Sequence, residues 1–479
     1  MVRVQPALLH AARQVLRQTS PLSKLTRRPV TGSRQHVDRF YVCSVCVFSP
    51  LRLGQDVTIF NSMCVCVFSS AAMTTQPHTC AQHTSGRQRT VPVNVDYEQF
   101  FSKSAARRCP AALRQTAVYM HKDGYIKMGG GFPNPLTFPV VGAEFTLRDG
   151  SVVRMDETQM MTYQQYAMSE GYPDLRQWLI DFQNRVHTPP TFDPKHPGQF
   201  DLIITNGANE GINLALEMLV EEGDWALCEE ATYSSALSML TPHAARFHGI
   251  TADEGGMVTE DLVKVLTSWS DLHPGSKKPK VLYAVTSGGN PTGVTWSLER
   301  RREVYDVARS HDLIILEDDA YYFLQFSRPL MPSLLSIDVD GRVLRFDTFT
   351  KLVAPGLRVA MVCGPAPLLC KMRLQKDVGS LTASGLSQGM LVQLLRHWGH
   401  DGFLHHVDGV MEFYRQRAQS ATRCAERHLA GLAEWTAPSG GMFLWLRVLG
   451  VKDTEVIVHK ALQRHVIFVA GTHFKPANQ

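Results

Sequence analysis

The stretch Leu-Ile-Ile-Leu-Glu-Asp-Asp-Ala-Tyr-Tyr at residues 313–322 joins four apolar residues to an acidic turn and two tyrosines. A short apolar run that ends in polar residues is typical of a strand buried on both faces, as in a parallel sheet. Residues 202–205, 226–228, 281–285 and 343–346 are also mainly apolar, and polar residues follow each of them. The sequence therefore predicts several buried parallel strands.

Helical patterns lie between these strands. Residues 209–220 repeat apolar side chains on one helical face, and Ser297 is placed to cap a helix that runs to about residue 309. Strands that alternate with helices form a parallel sheet between layers of helices. We therefore expect an α/β fold whose main sheet is mostly parallel.

The length of the chain, 479 residues, is too great for one ordinary core. We expect the folded part at residues 94–479, with a large domain at about residues 180–375. A smaller α/β domain would combine the N-terminal part of this region with about residues 376–479, where the chain looks truncated at its C-terminal end.

Residues 1–93 are expected to lie outside the fold. Every charged side chain before Asp38 is basic, and apolar residues such as Leu8 and Ala12 share a helical face, which is typical of a mitochondrial transit segment. A disordered basic tail is the alternative interpretation. The pentapeptide Val-Cys-Val-Phe-Ser occurs at residues 45–49 and again at 65–69, which indicates low-complexity sequence.

The composition argues against several classes of function. The formal charge of +5 is modest, and no block of Lys and Arg with interleaved aromatic residues suggests a nucleic-acid partner. No run approaches the roughly 18 apolar residues of a membrane span. The N-terminal cysteines lack the flanking ligands of a closed zinc site, so no metal is predicted.

The residues that could carry chemistry follow the predicted strands. Ligands of open parallel sheets bind where the strands end at their carboxyl edge. Four polar clusters occupy such positions: Gly-Ala-Asn-Glu-Gly at 207–211, Ser-Gly-Gly-Asn-Pro-Thr-Gly at 287–293, Glu-Asp-Asp-Ala-Tyr-Tyr at 317–322 and Asp-Thr-Phe-Thr-Lys at 347–351.

These clusters supply what pyridoxal phosphate requires of a protein. Lys351 is the amine for the aldehyde, and Asp318 is the acid that pairs with the ring nitrogen and keeps it protonated. Tyr321 and the amide of Asn290 can bind the phenolic oxygen, and Tyr233 can stack on the ring. Taken alone, each has an ordinary alternative: a surface lysine, a solvated acidic turn, a structural turn or a packed tyrosine. Their occurrence after successive strands favours the cofactor site.

An anion site for the phosphate is also available. The backbone N–H groups of Gly207, Ala208 and Asn209 lie at a predicted helix start, which attracts anions. Two groups can complete this site, the guanidinium of Arg358 and the paired hydroxyls that precede Lys351, those of Thr348 and Thr350. A glycine-rich turn between strand and helix also occurs in nucleotide-binding folds, so this cluster is weak evidence by itself.

With these motifs in place, the chain resembles the fold type I, class I aminotransferases, and within them the kynurenine/2-aminoadipate aminotransferases, over roughly residues 94–479. The motifs that carry the resemblance are Gly-Gly-Gly-Phe-Pro-Asn-Pro at 129–135, Glu-Gly-Tyr-Pro-Asp-Leu at 170–175, Thr-Asn-Gly-Ala-Asn-Glu-Gly at 205–211, Asn-Pro-Thr-Gly at 290–293, the string at 315–326, Thr-Phe-Thr-Lys at 348–351 and Gly-Gly-Met-Phe-Leu-Trp at 440–445.

The resemblance implies a pyridoxal-phosphate enzyme that transfers an amino group from kynurenine or 2-aminoadipate to 2-oxoglutarate by a ping-pong mechanism. It implies a homodimer, in which Tyr166 would reach the phosphate of the neighbouring subunit. Arg114, Gly131 and Phe132 would line the substrate pocket together with Asn290. A mitochondrial location follows from the transit-like segment, with the cytoplasm as the alternative.

Three departures from the family pattern qualify this expectation. Ala208 stands where the family usually has a hydroxyl residue, and Thr348 and Thr350 stand where it has serine. A C-terminal arginine that clamps the substrate carboxylate in the family has no counterpart before Gln479. The alternatives are therefore an aromatic or branched-chain aminotransferase, or a truncated homologue that binds the cofactor but has impaired activity.

Overall fold

The structure, a computed structural model, describes residues 43–53, 57–68, 92–111, 131–451 and 454–476. The strands of these residues are β1 (Cys43–Leu53), β2 (Val57–Phe68), β3 (Ala143–Thr146), β4 (Val152–Met155), β5 (Phe200–Thr205), β6 (Trp225–Glu229), β7 (Arg246–Ile250), β8 (Ala252–Asp253), β9 (Gly256–Met257), β10 (Val281–Ala284), β11 (Ile314–Asp318), β12 (Val343–Thr348), β13 (Ala360–Pro365), β14 (Ala433–Trp435), β15 (Phe443–Val448) and β16 (Phe468–Val469).

The α-helices of the same residues are α1 (Lys103–Ala106), α2 (Glu157–Tyr163), α3 (Pro173–His187), α4 (Ala208–Leu219), α5 (Ser234–Leu240), α6 (Thr259–Thr267), α7 (Trp269–Leu272), α8 (Leu298–Ser310), α9 (Ala366–Lys376), α10 (Gly385–Leu429) and α11 (Glu455–Leu462). A kink at Gly399, where φ is 62°, divides α10 into two helical segments. Within the described residues, no helix combines the length and the apolar character needed to cross a bilayer.

Seven strands form the main sheet, in the order β5-β13-β12-β11-β10-β6-β7. All of them run in the same direction except β13, which is antiparallel to both of its neighbours. β13 follows β12 after a short connection, and a short connection can join antiparallel neighbours but not parallel ones. The expected α/β fold with a mostly parallel sheet is confirmed.

The local rules used on the sequence hold in this sheet. β11 includes three residues of the predicted apolar strand, and every one of its residues is buried. Ser297 caps α8, since its side chain accepts a hydrogen bond from the N–H of Arg300. Pro173 occupies the first turn of α3, where its missing N–H would have no helical partner.

A second sheet has the order β14-β15-β2-β1-β16. β2 runs parallel to β15, with Cys64 paired to Phe443, and β1 is antiparallel to β16. Both hairpin strands come from the segment that we expected to lie outside the fold, and the structure differs from that expectation. The reason is backbone pairing: the hairpin lies between β15 and β16 and supplies partners for the N–H and C=O groups of both.

A buried charged cluster links β11 and β12. Side chains alternate along a strand, so Glu317 and Asp319 lie on the opposite face of the sheet from Asp318. The Arg345 guanidinium, fully buried, is bound by Asp319 at 3.2 Å and by Asp347 at 2.8 Å. Glu317 accepts a hydrogen bond from Arg301 at 3.4 Å. The cluster therefore fixes the two strands whose ends carry Asp318 and Lys351.

Replacing Arg345 with Met should destabilise the fold by about 3–5 kcal/mol, because Asp319 and Asp347 would lose a buried counter-charge. The measurement is the free energy of unfolding from urea titration. Arg154→Met is the matched control, since the ion pair of Arg154 with Glu144 is exposed, with side-chain exposures of 69% and 54%. The control should change the stability by no more than about 0.5 kcal/mol. Equal effects of the two substitutions would contradict the importance of the buried cluster.

Candidate active site

The four polar clusters meet at the carboxyl edge of the main sheet. They follow β5, β10, β11 and β12, which run in the same direction and therefore end at the same edge. The strand register is direct evidence, because Ala360 of β13 pairs with Thr205 on one side and with Thr348 on the other. The residues just past these positions, from Gly207 to Lys351, are thus gathered at one place.

Asp318 is buried at this edge and uses only one of its two oxygens. The hydroxyl of Tyr283 donates a hydrogen bond to Oδ2 at 2.6 Å. The other oxygen, Oδ1, is buried and has no hydrogen-bond partner among the described residues. Burial raises the pKa of the Asp318 carboxyl to about 6, against the lowering effects of the Tyr283 hydrogen bond and the Lys351 charge.

Lys351 and Tyr321 lie next to each other. The Nζ atom of Lys351 is 5.9 Å from the centroid of the Tyr321 ring. Lys351 is close enough to Asp318 for its charge to lower the pKa of that carboxyl. The Tyr321 ring is buried and packs edge-on against Phe443 of β15, with 5.4 Å between the ring centroids. The structure thus brings the predicted amine, acid and phenol together.

Asn290 lies on a turn that packs tightly against the second sheet. The N–H of Gly293 donates to the carbonyl of Gly289 at 2.7 Å, which closes the turn. Gly288 has a φ of 54°, and a Cβ atom there would overlap the backbone of Gly441. The Oδ1 atom of Asn290 is buried without a hydrogen-bond partner among the described residues. Asn290, like Asp318, therefore has a buried Oδ1 atom that could accept a hydrogen bond from a ligand.

The residues predicted to bind a phosphate include Gly207 and Arg358, which lie together at the start of α4. Gly207 is the N-cap of α4 with a φ of 83°, and a Cβ atom there would overlap the guanidinium of Arg358. Arg358 also donates from Nη2 to the carbonyl of Asn206 at 3.1 Å, and its own φ of 53° is unusual for a residue with a side chain. The first N–H groups of α4, those of Ala208 and Asn209, have no acceptor within the helix.

The hydroxyls of Thr348 and Thr350 lie at and just after the end of β12, which is two strands away from β5 in the main sheet. Thr348 donates from Oγ1 to Oγ1 of Thr350 at 2.8 Å, and the N–H of Thr350 donates to Oγ1 of Thr348 at 3.2 Å. Tyr233, at the N-terminus of α5, donates from its hydroxyl to Oδ1 of Asn209 at 3.2 Å. Tyr233 is thereby tied to the start of α4, as the stacking role would require.

The predicted substrate residues are only partly described. Gly131 and Phe132 lie in an exposed segment, and the Phe132 ring packs edge-on against Tyr166 at a centroid distance of 5.9 Å. Tyr166 is 50% exposed. Arg114 lies outside the described residues.

Sequence reasoning missed two residues at this edge, Tyr283 and Phe443. Tyr283 lies in the strand predicted at residues 281–285, and it is the one residue of β10 with a polar side-chain atom. A buried tyrosine hydroxyl needs a hydrogen-bond partner, so this residue could have been singled out. The position of Phe443 depends on the packing of the second sheet against the first, which no local pattern reveals.

Comparisons with known proteins identify the family of this chain. Residues 137–477 match the family described as aminotransferase class I and II. A mouse protein named kynurenine/alpha-aminoadipate aminotransferase, mitochondrial, is 41% identical over 79% of this chain and 91% of its own length. An aromatic amino acid aminotransferase of Dictyostelium discoideum is 31% identical over 80% of this chain and 81% of its own length.

Solved structures give the same result. An aminotransferase from Candida albicans superposes with a TM-score of 0.67 and 28% identity, covering 74% of this chain and 81% of that protein. A kynurenine aminotransferase from Pyrococcus horikoshii has a TM-score of 0.61 and 26% identity, covering 79% and 90% of the two chains. This chain therefore belongs to the class I and II aminotransferases, enzymes that transfer amino groups with pyridoxal phosphate as cofactor.

Proposed function

We propose that this aminotransferase moves the amino group of kynurenine or 2-aminoadipate to 2-oxoglutarate, and that it does so in the mitochondrion. The substrate class and the location are supported by the printed name of the mouse relative. The observation that carries the assignment of the site is the buried, unpartnered Oδ1 atom of Asp318 beside Lys351.

The residues present fit pyridoxal phosphate. Two buried polar atoms without a protein partner, Oδ1 of Asp318 and Oδ1 of Asn290, lie in clusters that follow neighbouring strands. The start of α4 and the Arg358 guanidinium offer positive electrostatic potential a short distance along the same edge. When bound, the cofactor supplies an aldehyde that takes up the amino group and a ring that withdraws electrons from the substrate.

Each cluster then has one task. Asp318 would pair with the ring nitrogen, and its carboxylate is ionised above its pKa of about 6. Tyr321 and Asn290 would bind the phenolic oxygen, and Tyr233 would cover one face of the ring. The N–H groups at Gly207, Ala208 and Asn209 would bind the phosphate. Further phosphate donors come from the same edge of the sheet: Thr348, Thr350 and Arg358.

Lys351 has two tasks in this proposal. Its Nζ atom would hold the cofactor through the aldehyde. As a free amine, the same Nζ atom would be the base that moves a proton of the substrate. The buried rings around it, Tyr321 and Phe443, limit the access of water to that proton.

A homodimer completes the proposed site. The exposed apolar side chains near Tyr166 include Val141, at 61%, and Leu136, at 79%. A contiguous exposed apolar patch marks an interaction surface more often than a solvated one. We propose that this surface meets a second copy of the chain and that Tyr166 reaches the phosphate in the neighbouring subunit. Gly131, Phe132, Asn290 and Arg114 would then line the substrate pocket.

Lys351→Ala should abolish the covalent attachment of the cofactor and lower kcat by about 10³-fold or more, since no other group supplies the amine. Attachment is measured by borohydride reduction followed by mass spectrometry of the peptide that contains residue 351. Lys195→Ala is the control, because Lys195 is exposed and precedes the start of β5, whereas the candidate site follows the end of that strand. Retention of the reducible linkage in Lys351→Ala would refute the assignment.

Substrate preference is tested by single-turnover half-reactions. Mixing the holoenzyme with kynurenine or 2-aminoadipate should convert the cofactor to its aminated form faster than mixing with tyrosine, phenylalanine or leucine. The rate is followed through the absorption of the cofactor. Faster turnover of an aromatic or branched-chain substrate would replace the proposed substrate class, and no conversion by any of them would favour a catalytically impaired protein.

Mixed dimers test the role of Tyr166. Tyr166→Ala and Lys351→Ala homodimers should both be inactive or nearly so. After the two proteins are unfolded together and refolded, about a quarter of the wild-type activity should return, because about half of the dimers are mixed and each mixed dimer holds one intact site. If Tyr166 served its own subunit, neither site of a mixed dimer would be intact, and no activity would return.

A further inference from the structure

Tyr283 is a fully buried tyrosine whose hydroxyl is directed at Asp318. It lies in β10, which pairs in parallel with β11 so that Tyr283 is opposite Leu316. The hydroxyl reaches Oδ2 of Asp318, two residues further along β11, at 2.6 Å. This distance lies in the range of charge-assisted O–H···O⁻ hydrogen bonds, about 2.5–2.7 Å, which are stronger than neutral ones.

The contact leaves the two oxygens of Asp318 in different environments. Oδ2 is held by the phenol, and Oδ1 is buried without a partner among the described residues. The terminal torsion of an aspartate side chain is broad and poorly fixed by its own rotamer preferences. A hydrogen bond to one oxygen therefore fixes the direction in which the other oxygen points. In this structure Oδ2 is bound by the Tyr283 hydroxyl and Oδ1 is left for a donor from outside the described residues.

The contact also affects the charge of Asp318. Its pKa is raised to about 6, chiefly by burial and also by the charge of the neighbouring Asp319. The Tyr283 hydrogen bond is the largest influence that lowers the pKa, ahead of the Ala320 N–H and the charge of Lys351. Two other phenols, Tyr233 and Tyr321, lie close enough to Tyr283 to raise its own pKa, along with burial and Asp318. Tyr283 therefore stays protonated and remains a donor.

We propose that Tyr283 is a positioning residue for the cofactor: its hydroxyl holds one oxygen of Asp318 so that the other can meet the ring nitrogen. The same hydrogen bond favours the ionised form of the carboxylate. This inference rests on the role proposed for Asp318. Tyr283 does not touch the reacting atoms, and it acts through the carboxylate alone.

The test is Tyr283→Phe, which removes only the hydroxyl. Tyr305→Phe is the matched control, because Tyr305 is also buried and donates to a buried carboxylate, Asp338, at 2.9 Å. The readout is the dissociation constant of pyridoxal phosphate from the full-length protein, measured from pH 5 to pH 8 after removal of the cofactor. Protonation of the phosphate itself affects all proteins alike, so differences between them report on the carboxyl group.

Tyr283→Phe should weaken cofactor binding about tenfold at neutral pH, the effect of losing one hydrogen bond to a charged group. The pH at which affinity falls should also rise by about one unit, because the carboxyl would take up its proton at higher pH. Wild-type affinity should fall only as the pH drops through about 6, the pKa of the Asp318 carboxyl. Tyr305→Phe should keep the wild-type affinity and pH dependence.

The outcomes separate this inference from the proposed function. If the wild-type protein takes up no cofactor, the function itself is wrong, and the inference falls with it. If it takes up the cofactor but Tyr283→Phe binds with unchanged affinity and pH dependence, the function stands and the inference is overturned. Equal losses in Tyr283→Phe and Tyr305→Phe would show a general loss of stability and would also overturn it.

A second variant covers the possibility that Tyr283→Phe does not fold. Asp318→Asn removes the negative charge to which the Tyr283 hydroxyl donates. In this background Tyr283→Phe leaves no buried carboxylate without its hydrogen bond, so the double variant avoids that cause of misfolding. The dissociation constant of the cofactor from the double variant should be within about twofold of that from Asp318→Asn. The effects of two substitutions that act through one group do not add. A further tenfold loss in the double variant would mean that Tyr283 acts independently of Asp318, which contradicts the proposal.

Discussion

The alternation of side chains at the end of β11 is the constraint on which the site depends. Three successive acids, Glu317, Asp318 and Asp319, cannot all face the same environment, because a strand directs neighbouring side chains to opposite faces. The outer two are neutralised by Arg301 and Arg345 in the buried cluster. This leaves Asp318 alone on the other face, with Tyr283 and Lys351 as its partners. In an acidic run that looks like a solvated turn, Glu317 and Asp319 thus belong to the buried charged cluster, and Asp318 belongs to the candidate site.

The antiparallel strand β13 places Arg358 beside the start of α4. Because β13 runs against its neighbours, it starts at the edge where they end, and Ala360 pairs with both Thr205 and Thr348. The residues that precede β13 therefore lie beside the residues that follow β5. Arg358 meets Gly207 for this reason, although the two are far apart in the sequence. Arg358, seven residues after Lys351, lies at the same edge of the sheet because β13 is antiparallel to its neighbours.

Local rules predicted the parts of this arrangement that depend on single strands. Lys351, Asp318 and Asn290 were identified because polar residues after apolar runs mark the carboxyl edge of a parallel sheet, and the start of α4 was identified from its glycine. The burial of Arg345 and the direction of β13 were not predicted, since they depend on which strands become neighbours. The pairing of the N-terminal hairpin with β15 was missed for the same reason. Its repeated pentapeptide looked like low-complexity sequence, and the pairing of β2 with β15 joins residues more than 370 positions apart, which no local pattern reveals.

The unpartnered atoms of the site link cofactor binding to folding. A buried polar atom without a hydrogen bond costs about 1–3 kcal/mol, and Asp318 and Asn290 each have one such atom. A ligand that satisfies these atoms and binds only the folded chain stabilises it, and the stabilisation grows with the logarithm of the ratio of ligand concentration to dissociation constant. The groups that hold them come from both sheets, because Gly441 packs on the turn of Asn290 and Phe443 packs on Tyr321. Binding at the edge of the main sheet therefore also favours the contact between the two sheets.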